Sequence, residues 1–232
     1  MRGQAAVWSV DMEAPKRQST GRFIIVAIAV FLIWYFFIQP GSQELDASEQ
    51  TALLRLARDQ LVAVADGRGT IEVDEEPLPG RLLRPGSAFV TLSIDGELRG
   101  CMIDSFEAHE PLYRNVLRNT ALAASEDDRF ARLTPAEVET TRIAISLLTP
   151  PEELEFTDPD GLVAALEPGL DGVILTADGV TSSYLPDVWG TFPDPVEFLE
   201  RLSEKAGLSP DRWREAPYPT IETFRAFRFE EA

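Results

Sequence analysis

Apolar positions along residues 46–230 follow two different periods. Apolar residues from Leu53 to Val64 recur at helical spacing behind Asp46-Ala-Ser-Glu49, whose spacing is that of a capping box. This pattern predicts a helix that ends near Ala65. Residues 88–94 alternate instead and are rich in β-branched side chains, which predicts a strand. Asp95-Gly96 is a strong two-residue turn signal, so residues 97–103 are expected to return as the second strand of a hairpin.

The same two periods continue to the end of the chain and predict an α+β fold. Hairpins interspersed with helices favour a largely antiparallel sheet with flanking helices. Further helices are predicted from Glu110, after Thr134, over 160–166 and from Asp194 to Gly207, and further strands over 142–148, 172–176, 180–185 and 220–229.

The hairpin pattern also predicts a register. With a two-residue turn and no irregularity, Val90 faces Cys101 and Leu92 faces Arg99. Side chains alternate in direction along a strand. Arg99 and Cys101 are therefore expected to share one face of the sheet with Val90 and Leu92.

An uncharged apolar run, residues 23–38, precedes the patterned part of the chain. As a helix it is about 24 Å long, and its uncharged neighbours extend it toward the ~30 Å hydrocarbon core of a bilayer. The pattern predicts one transmembrane helix, an anchor over residues 23–39. The rest divides into a basic segment at 1–22, a linker at 40–45 and a folded domain at 46–232.

Charge on either side of the run predicts its orientation. Basic residues precede it and acidic residues follow it, so the positive-inside rule places the N-terminus in the cytoplasm and the domain outside, as a single-pass membrane protein. A cleaved signal peptide, which would leave a secreted domain, and a buried core helix are the alternatives. Met12 is an alternative start.

The charge balance excludes one class of partner. The chain has 39 acidic and 21 basic residues, a net charge of −18. Its first 22 residues hold four bases and two acids, so the remainder has 37 acids, 17 bases and a net charge of −20. Nucleic-acid binding needs a basic surface, so no nucleic-acid partner is predicted. A solubilising surface and a cation-binding role both remain compatible with the acid excess.

Composition also limits the chemistry. Cys101 is the only cysteine and His109 the only histidine. These counts exclude an intramolecular disulfide and a zinc site rich in cysteine and histidine. No phosphate-binding loop, dinucleotide fingerprint or calcium loop occurs. No metal and no cofactor are predicted.

The hexapeptide Leu98-Arg99-Gly100-Cys101-Met102-Ile103 resembles the L-R-G-C-I-G signature of the AMMECR family, whose relatives are also called AmmeMemoRadiSam system protein A. It departs from that signature at Met102 and at Ile103, which replaces a glycine. The resemblance extends over most of residues 50–230. Matching segments occur in the same order around Phe89, Asn119, Asp128-Arg129-Phe130, Ile143, Thr149-Pro150, Gly169, Gly172, Leu185-Pro186-Asp-Val-Trp189, Glu197 and Lys205-Ala-Gly-Leu208. It implies an α+β fold with a larger and a smaller subdomain, and it implies no established activity.

Two hypotheses for function follow. In the first, the Leu98–Ile103 hairpin surface binds an unknown protein or small-molecule ligand, near a membrane because of the anchor. The second is an enzyme in which Cys101 is the nucleophile, with Arg99 as a cation that favours the thiolate and His109 as its base. A buried structural cysteine is the alternative reading of Cys101. The candidate binding residues are Leu98, Gly100, Met102, Asn119, Asp128, Arg129, Tyr184 and Trp189.

Overall fold

The computed structural model describes residues 44–232. The predicted anchor at 23–39 and the basic segment at 1–22 lie outside the described residues. Within residues 44–232, no helix is both long enough and apolar enough to cross a membrane.

The first helix begins where its capping signal predicts. Helix α1 spans Ala47–Ala65. The Asp46 carboxylate accepts the backbone N–H of Glu49 at 2.9 Å, and the Glu49 carboxylate accepts the N–H of Asp46 at 2.9 Å. This reciprocal pair satisfies donors that a helix start leaves unpaired. The apolar residues of α1 then lie in the first core.

A first sheet packs against α1 and a second helix, α2 (Leu112–Ser125). Its strands are β1 (Ala88–Ile94), β2 (Glu97–Met102), β3 (Thr141–Leu148) and β8 (Ala226–Glu230), in the antiparallel order β2-β1-β3-β8. Val90, Leu92 and Ile145 are fully buried between this sheet and the helices. The two helices therefore cover one face of the sheet, and strand β2 forms one of its edges.

A second sheet has a smaller core of its own. Its strands are β4 (Glu152–Glu153), β5 (Gly172–Ala177), β6 (Val180–Tyr184) and β7 (Thr220–Phe224), in the antiparallel order β4-β7-β5-β6, and its helices are α3 (Pro159–Ala165) and α4 (Pro195–Lys205). Phe198 of α4 is fully buried in this core and stacks on Trp189 with ring centroids 3.8 Å apart. Each sheet is thus stabilised by its own helices.

The prediction of a single sheet was wrong, although the α+β class and the antiparallel pairing are confirmed. The predicted strand at 220–229 is two strands, β7 and β8, which belong to different sheets. Arg225 separates them: its N–H donates to the Thr149 hydroxyl at 2.8 Å, and its carbonyl accepts the Thr149 N–H at 2.9 Å. A small apolar cluster that includes Leu148 and Phe224 lies beside this crossing point. The strand-like sequence pattern continues through Arg225, so it does not show that residues 220–229 form two strands.

The predicted hairpin register was also wrong. The turn forms as expected, with positive φ at Asp95 and Gly96. A β-bulge then shifts the pairing, so Leu92 lies opposite Gly100 and Thr91 lies opposite Cys101. The cross-strand partner of Cys101 is therefore Thr91 instead of Val90.

Close packing on α2 accounts for the glycine at this position. A Cβ atom on Gly100 would lie 2.2 Å from the backbone carbonyl oxygen of Ala123, which is far inside contact distance. Since that oxygen belongs to the helix backbone, it cannot move aside as a side chain would. Only glycine allows strand β2 to lie this close to α2.

We therefore expect Gly100→Ala to destabilise the protein by roughly 2–3 kcal/mol, because strand and helix must separate. Urea denaturation of the full chain measures this loss. Gly80→Ala is the matched control, since a Cβ there meets nothing within 4 Å, and its effect should stay within about 0.5 kcal/mol. Equal stability of the two variants would contradict the packing account of Gly100.

Candidate functional site

The buried carboxylate of Asp127 organises the surroundings of Cys101. Its side chain is 3% exposed. It accepts the backbone N–H of Cys101 at 2.8 Å and both Nε and Nη2 of Arg129, at 2.8 and 2.6 Å. The Arg129 hydrogen bonds, helped by that N–H, outweigh burial and lower the pKa of Asp127 to about 2. The carboxylate is therefore ionised throughout the physiological range.

The Cys101 thiol is half-buried and lies beside Thr91, with Sγ 3.3 Å from the Thr91 hydroxyl oxygen. Arg129 Nη2 donates to the Cys101 carbonyl at 3.4 Å. Both backbone polar groups of Cys101 are thus held by side chains of the segment that follows α2. The guanidinium that contacts Cys101 is that of Arg129.

Arg99 makes different contacts. It is 14% exposed, and its Nε donates to the Glu137 carboxylate at 2.8 Å. Together with hydrogen bonds from Thr134, this pairing lowers the pKa of Glu137 to about 2. Arg99 and Arg129 both approach the ring of Phe130, at 5.9 and 5.5 Å from its centroid. A role for Arg99 in chemistry at the thiol stays a prediction, because its described contacts are structural.

A second cation within electrostatic range of Cys101 belongs to helix α4, beside the second sheet. Lys205, the last residue of α4, donates from Nζ to the Ser183 carbonyl at 2.8 Å, and Nζ lies 4.8 Å from the ring centroid of Tyr184. Its ammonium is within electrostatic range of both Arg129 and Cys101. Desolvation of the amine, followed by repulsion from Arg129, lowers the pKa of Lys205. The residues Thr91, Cys101, Asp127, Arg129 and Lys205 are called the thiol–cation cluster below.

Tyr184 forms the apolar side of the cluster. Its ring packs edge-on against Phe198, with centroids 5.3 Å apart, and its hydroxyl donates to the Arg201 carbonyl at 3.3 Å. Burial raises the pKa of Tyr184. Of the candidate binding residues, Arg129 contacts the Cys101 backbone and Tyr184 contacts Lys205.

Asn119 has a structural explanation. It is fully buried on α2, donates to the Ala88 carbonyl at 2.9 Å and accepts the N–H of Asp104 at 2.8 Å. Its neighbour Asn115, which the sequence analysis missed, accepts the N–H of Ala88 at 3.0 Å. The two amides tie the helix to the start of β1, and a ligand-binding role for Asn119 stays a prediction.

The remaining candidate binding residues occupy several environments. Trp189 lies in the second core and donates to the Asp171 carbonyl at 2.7 Å. Met102 packs against the first core, whereas Leu98 is exposed near the turn. Asp128 is exposed, and its neighbour Asp127 is the carboxylate that contacts Cys101.

His109 lies in a different group of side chains. Its Nδ1 is 3.0 Å from the Glu107 carbonyl and its Nε2 is 3.6 Å from the Asp104 carboxylate. Among residues 44–232, no hydrogen bond joins this imidazole to Cys101. Asp104, His109 and Glu110 hold possible ligand atoms within 4.8 Å of one another, but Arg118 already pairs with both carboxylates, at 3.8 and 2.9 Å. The Cys101–His109 pairing stays a prediction without a supporting contact.

Asp127, Lys205 and Thr91 were missed as site residues. Asp127 and Asp128 are adjacent, so the sequence alone does not say which carboxylate faces the hairpin. Lys205 stands out in the sequence, because it is the single lysine among the 17 basic residues of positions 44–232. That signal acquires meaning only once the fold places Lys205 within electrostatic range of Arg129 and Cys101.

Comparison with known proteins identifies the family. The AMMECR1 family model matches residues 54–229. The chain is 36% identical over 197 residues to protein MK0488 of Methanopyrus kandleri, covering 82% of this chain and 91% of that protein. It is 34% identical over 185 residues to a protein of Thermofilum pendens, covering 73% and 84% of the two chains.

A solved structure agrees with this match. The crystal structure of the uncharacterized protein PH0010 from Pyrococcus horikoshii superposes with a TM-score of 0.69 at 30% sequence identity, covering 77% of this chain and 89% of that one. The family signature, the order of the matching segments and the fold therefore agree, and the chain belongs to the AMMECR1 family.

Proposed function

We propose that the AMMECR1 domain of this protein is a binding module that takes up an anionic group of its ligand at the thiol–cation cluster. The observation that carries the proposal is the placement of two cations around Cys101: Arg129 donates to its backbone carbonyl, and Lys205 lies within electrostatic range of both residues. Arg129 and Lys205 repel each other because both are positively charged, although the chain as a whole has a net charge of −18. An anion between the two cations would stabilise this arrangement.

The local charge balance supports an anionic ligand. Arg129 has a counterion in Asp127, yet its side chain remains 52% exposed, so it presents surface to a second partner. None of the ion pairs within residues 44–232 involves Lys205. Its hydrogen-bond acceptor, the Ser183 carbonyl, is neutral. The five residues of the cluster therefore carry two positive charges and one negative charge, and the exposed carboxylate of Asp128 is also within electrostatic range of Arg129.

The same geometry suggests which ligand chemistry fits. A carboxylate or phosphate accepts several hydrogen bonds from guanidinium and ammonium groups. The Tyr184 ring beside Lys205 offers an apolar face for the rest of a small molecule. The hairpin surface contributes Cys101 and Thr91 to this site.

An enzyme with Cys101 as nucleophile is the second candidate. The observation in its favour is that the thiol is half-buried and has cations around it, the setting in which thiolates react. Arg129 and Lys205 take the place that the sequence analysis gave to Arg99. Under this candidate, Cys101→Ser abolishes turnover, whereas the binding module retains its ligand in that variant.

We also propose that residues 23–39 tether the domain to a membrane. The support is the sequence pattern: an uncharged apolar run with basic residues before it and acidic residues after it. A tether would hold the thiol–cation cluster close to a membrane surface.

The anionic preference is tested by alkylating Cys101 in the full chain, kept in non-ionic detergent, with iodoacetate and with neutral iodoacetamide. Because both reagents attack the same thiolate, the ratio of the two rates does not depend on the ionisation state or the accessibility of the thiol. A net positive charge nearby should raise this ratio about three- to tenfold above that of the unfolded chain. Mass spectrometry follows the single cysteine.

Charge variants identify the source of the preference. Lys205→Gln should lower the ratio toward that of the unfolded chain, and Lys205→Arg should preserve it. Arg55→Gln on the exposed side of α1 is the control, since it makes the same change in net charge on another element. If the ratio of the iodoacetate rate to the iodoacetamide rate in the folded chain is at or below that of the unfolded chain, the anion site is contradicted. Complete protection of Cys101 from both reagents would also contradict the role of Cys101 as a nucleophile.

The tether predicts that the full chain, expressed in a bacterial host, stays in the membrane pellet after an alkaline carbonate wash. A variant lacking residues 1–43 should be released into the supernatant. In sealed vesicles with the cytoplasmic face inward, added protease should degrade the domain. Release of the full chain by carbonate would contradict the tether, and protection of the domain would reverse the proposed orientation.

A further inference from the structure

We propose that a groove beside strand β4 binds an extended, basic peptide segment of a partner protein. The groove lies between residues 153–157, which continue β4, and residues 218–221, which include the start of β7, and its volume is about 530 Å³. These two segments are called the β4 groove below. They share no residue with the thiol–cation cluster, so this surface is separate from the proposed anion site.

The backbone of the β4 groove is open to a further strand. Strand β4 is an edge of the second sheet and pairs with β7 over only two residues. One more backbone hydrogen bond follows, from the N–H of Leu154 to the Ile221 carbonyl at 2.8 Å. In the described part of the chain, no backbone hydrogen bond involves residues 155–157. Their N–H and C=O groups are therefore available to an extended peptide that adds to this edge.

Aromatic side chains form one wall of the β4 groove. Leu154 and Phe156 are partly buried and pack against the second core, whereas the alternate residues Glu153 and Glu155 are exposed. Phe156 also packs against Tyr218, with ring centroids 5.7 Å apart, and Tyr218 is 40% exposed. An exposed aromatic ring packs against the apolar stem of an arginine or lysine and attracts its cationic head.

The charge of the β4 groove determines the charge of its partner. Its lining includes two carboxylates, Glu153 and Glu155, and no basic side chain. Among residues 44–232, neither glutamate takes part in an ion pair. Glu153 also lies directly opposite Glu222 on β7, and like charges in opposite positions destabilise a sheet. A basic segment supplies the cations that offset this repulsion, whereas a second copy of this chain, with its net charge of −18, is repelled.

The spacing of the two carboxylates defines the sequence pattern of the partner. Side chains at alternate positions of a strand point to the same face, and those directly opposite on a neighbouring strand lie within contact distance. A strand added to the β4 edge therefore places two of its side chains, two positions apart, beside Glu153 and Glu155. The expected partner segment is extended and carries basic residues at alternate positions.

The test measures binding of labelled peptides to the full chain, kept in non-ionic detergent, by fluorescence anisotropy. The first peptide alternates arginine with threonine, and the second has the same side chains with a methyl group on every backbone amide. We expect the first to bind, and the second to bind at least about fivefold more weakly because it cannot donate backbone hydrogen bonds. The double substitution Glu153→Gln and Glu155→Gln should weaken binding of the first peptide at least about fivefold.

Matched variants separate the β4 groove from general attraction to an acidic protein. Asp59→Asn with Glu126→Gln makes the same change in net charge at exposed positions on other elements, and should alter the affinity less than about twofold. Tyr218→Phe should retain the affinity, and Tyr218→Leu should lower it about two- to fivefold.

Three results would overturn the proposal. The first is an alternating peptide that does not bind, or that binds the groove variant and the control variant equally. The second is equal binding of the peptide with methylated amides, or equally effective competition by the small cation spermine. The third is a concentration-dependent dimer in sedimentation velocity that Tyr218→Leu abolishes, which would assign the groove to a second copy of the chain.

Discussion

The arrangement around Cys101 depends on one buried carboxylate. Strand β2 is an edge of the first sheet, and the backbone of Cys101 points away from its only neighbouring strand. Asp127 accepts the outward N–H of Cys101, and Arg129 donates to the outward carbonyl. These two side chains take the place of a further strand and cover an edge that would otherwise be open. The ion pair that closes the sheet also holds the Arg129 guanidinium at the backbone of Cys101.

Two further constraints follow from that arrangement. The β-bulge turns Cys101 toward Thr91, and Gly100 allows the strand to lie against the Ala123 carbonyl of α2. Lys205, at the end of α4 beside the second sheet, lies within electrostatic range of Arg129 and Cys101. Structural support and candidate chemistry thus share the same residues, and the proposed anion site lies among them.

Local signals predicted much of the fold. The Asp46 capping box, the Asp95-Gly96 turn and the helix before Gly207 were found because each depends on residues close in sequence. The bulge was not found, because the predicted register assumed regular pairing after the two-residue turn. Asp127 could not be distinguished from Asp128, because the contact that selects it joins it to Cys101, 26 residues away along the chain, and Lys205 lies on a helix of the second sheet. The family signature located the hairpin correctly, but it could not identify which side chains surround its cysteine.

The most direct test of this account is the free energy of unfolding of the wild-type chain and of Asp127→Asn between pH 5 and pH 2. Asparagine can still accept the Cys101 N–H, so the variant removes mainly the charge that Arg129 requires. The pKa of Asp127 is about 2 in the folded protein, below its ordinary value of 3.8, so its stabilising effect is present above pH 4 and is lost as the pH falls toward 2. The account predicts that the variant is less stable by about 1–2 kcal/mol at pH 5, with a difference that shrinks toward pH 2. A difference that is absent at pH 5, or the same at every pH, would contradict the central role of the Asp127 carboxylate.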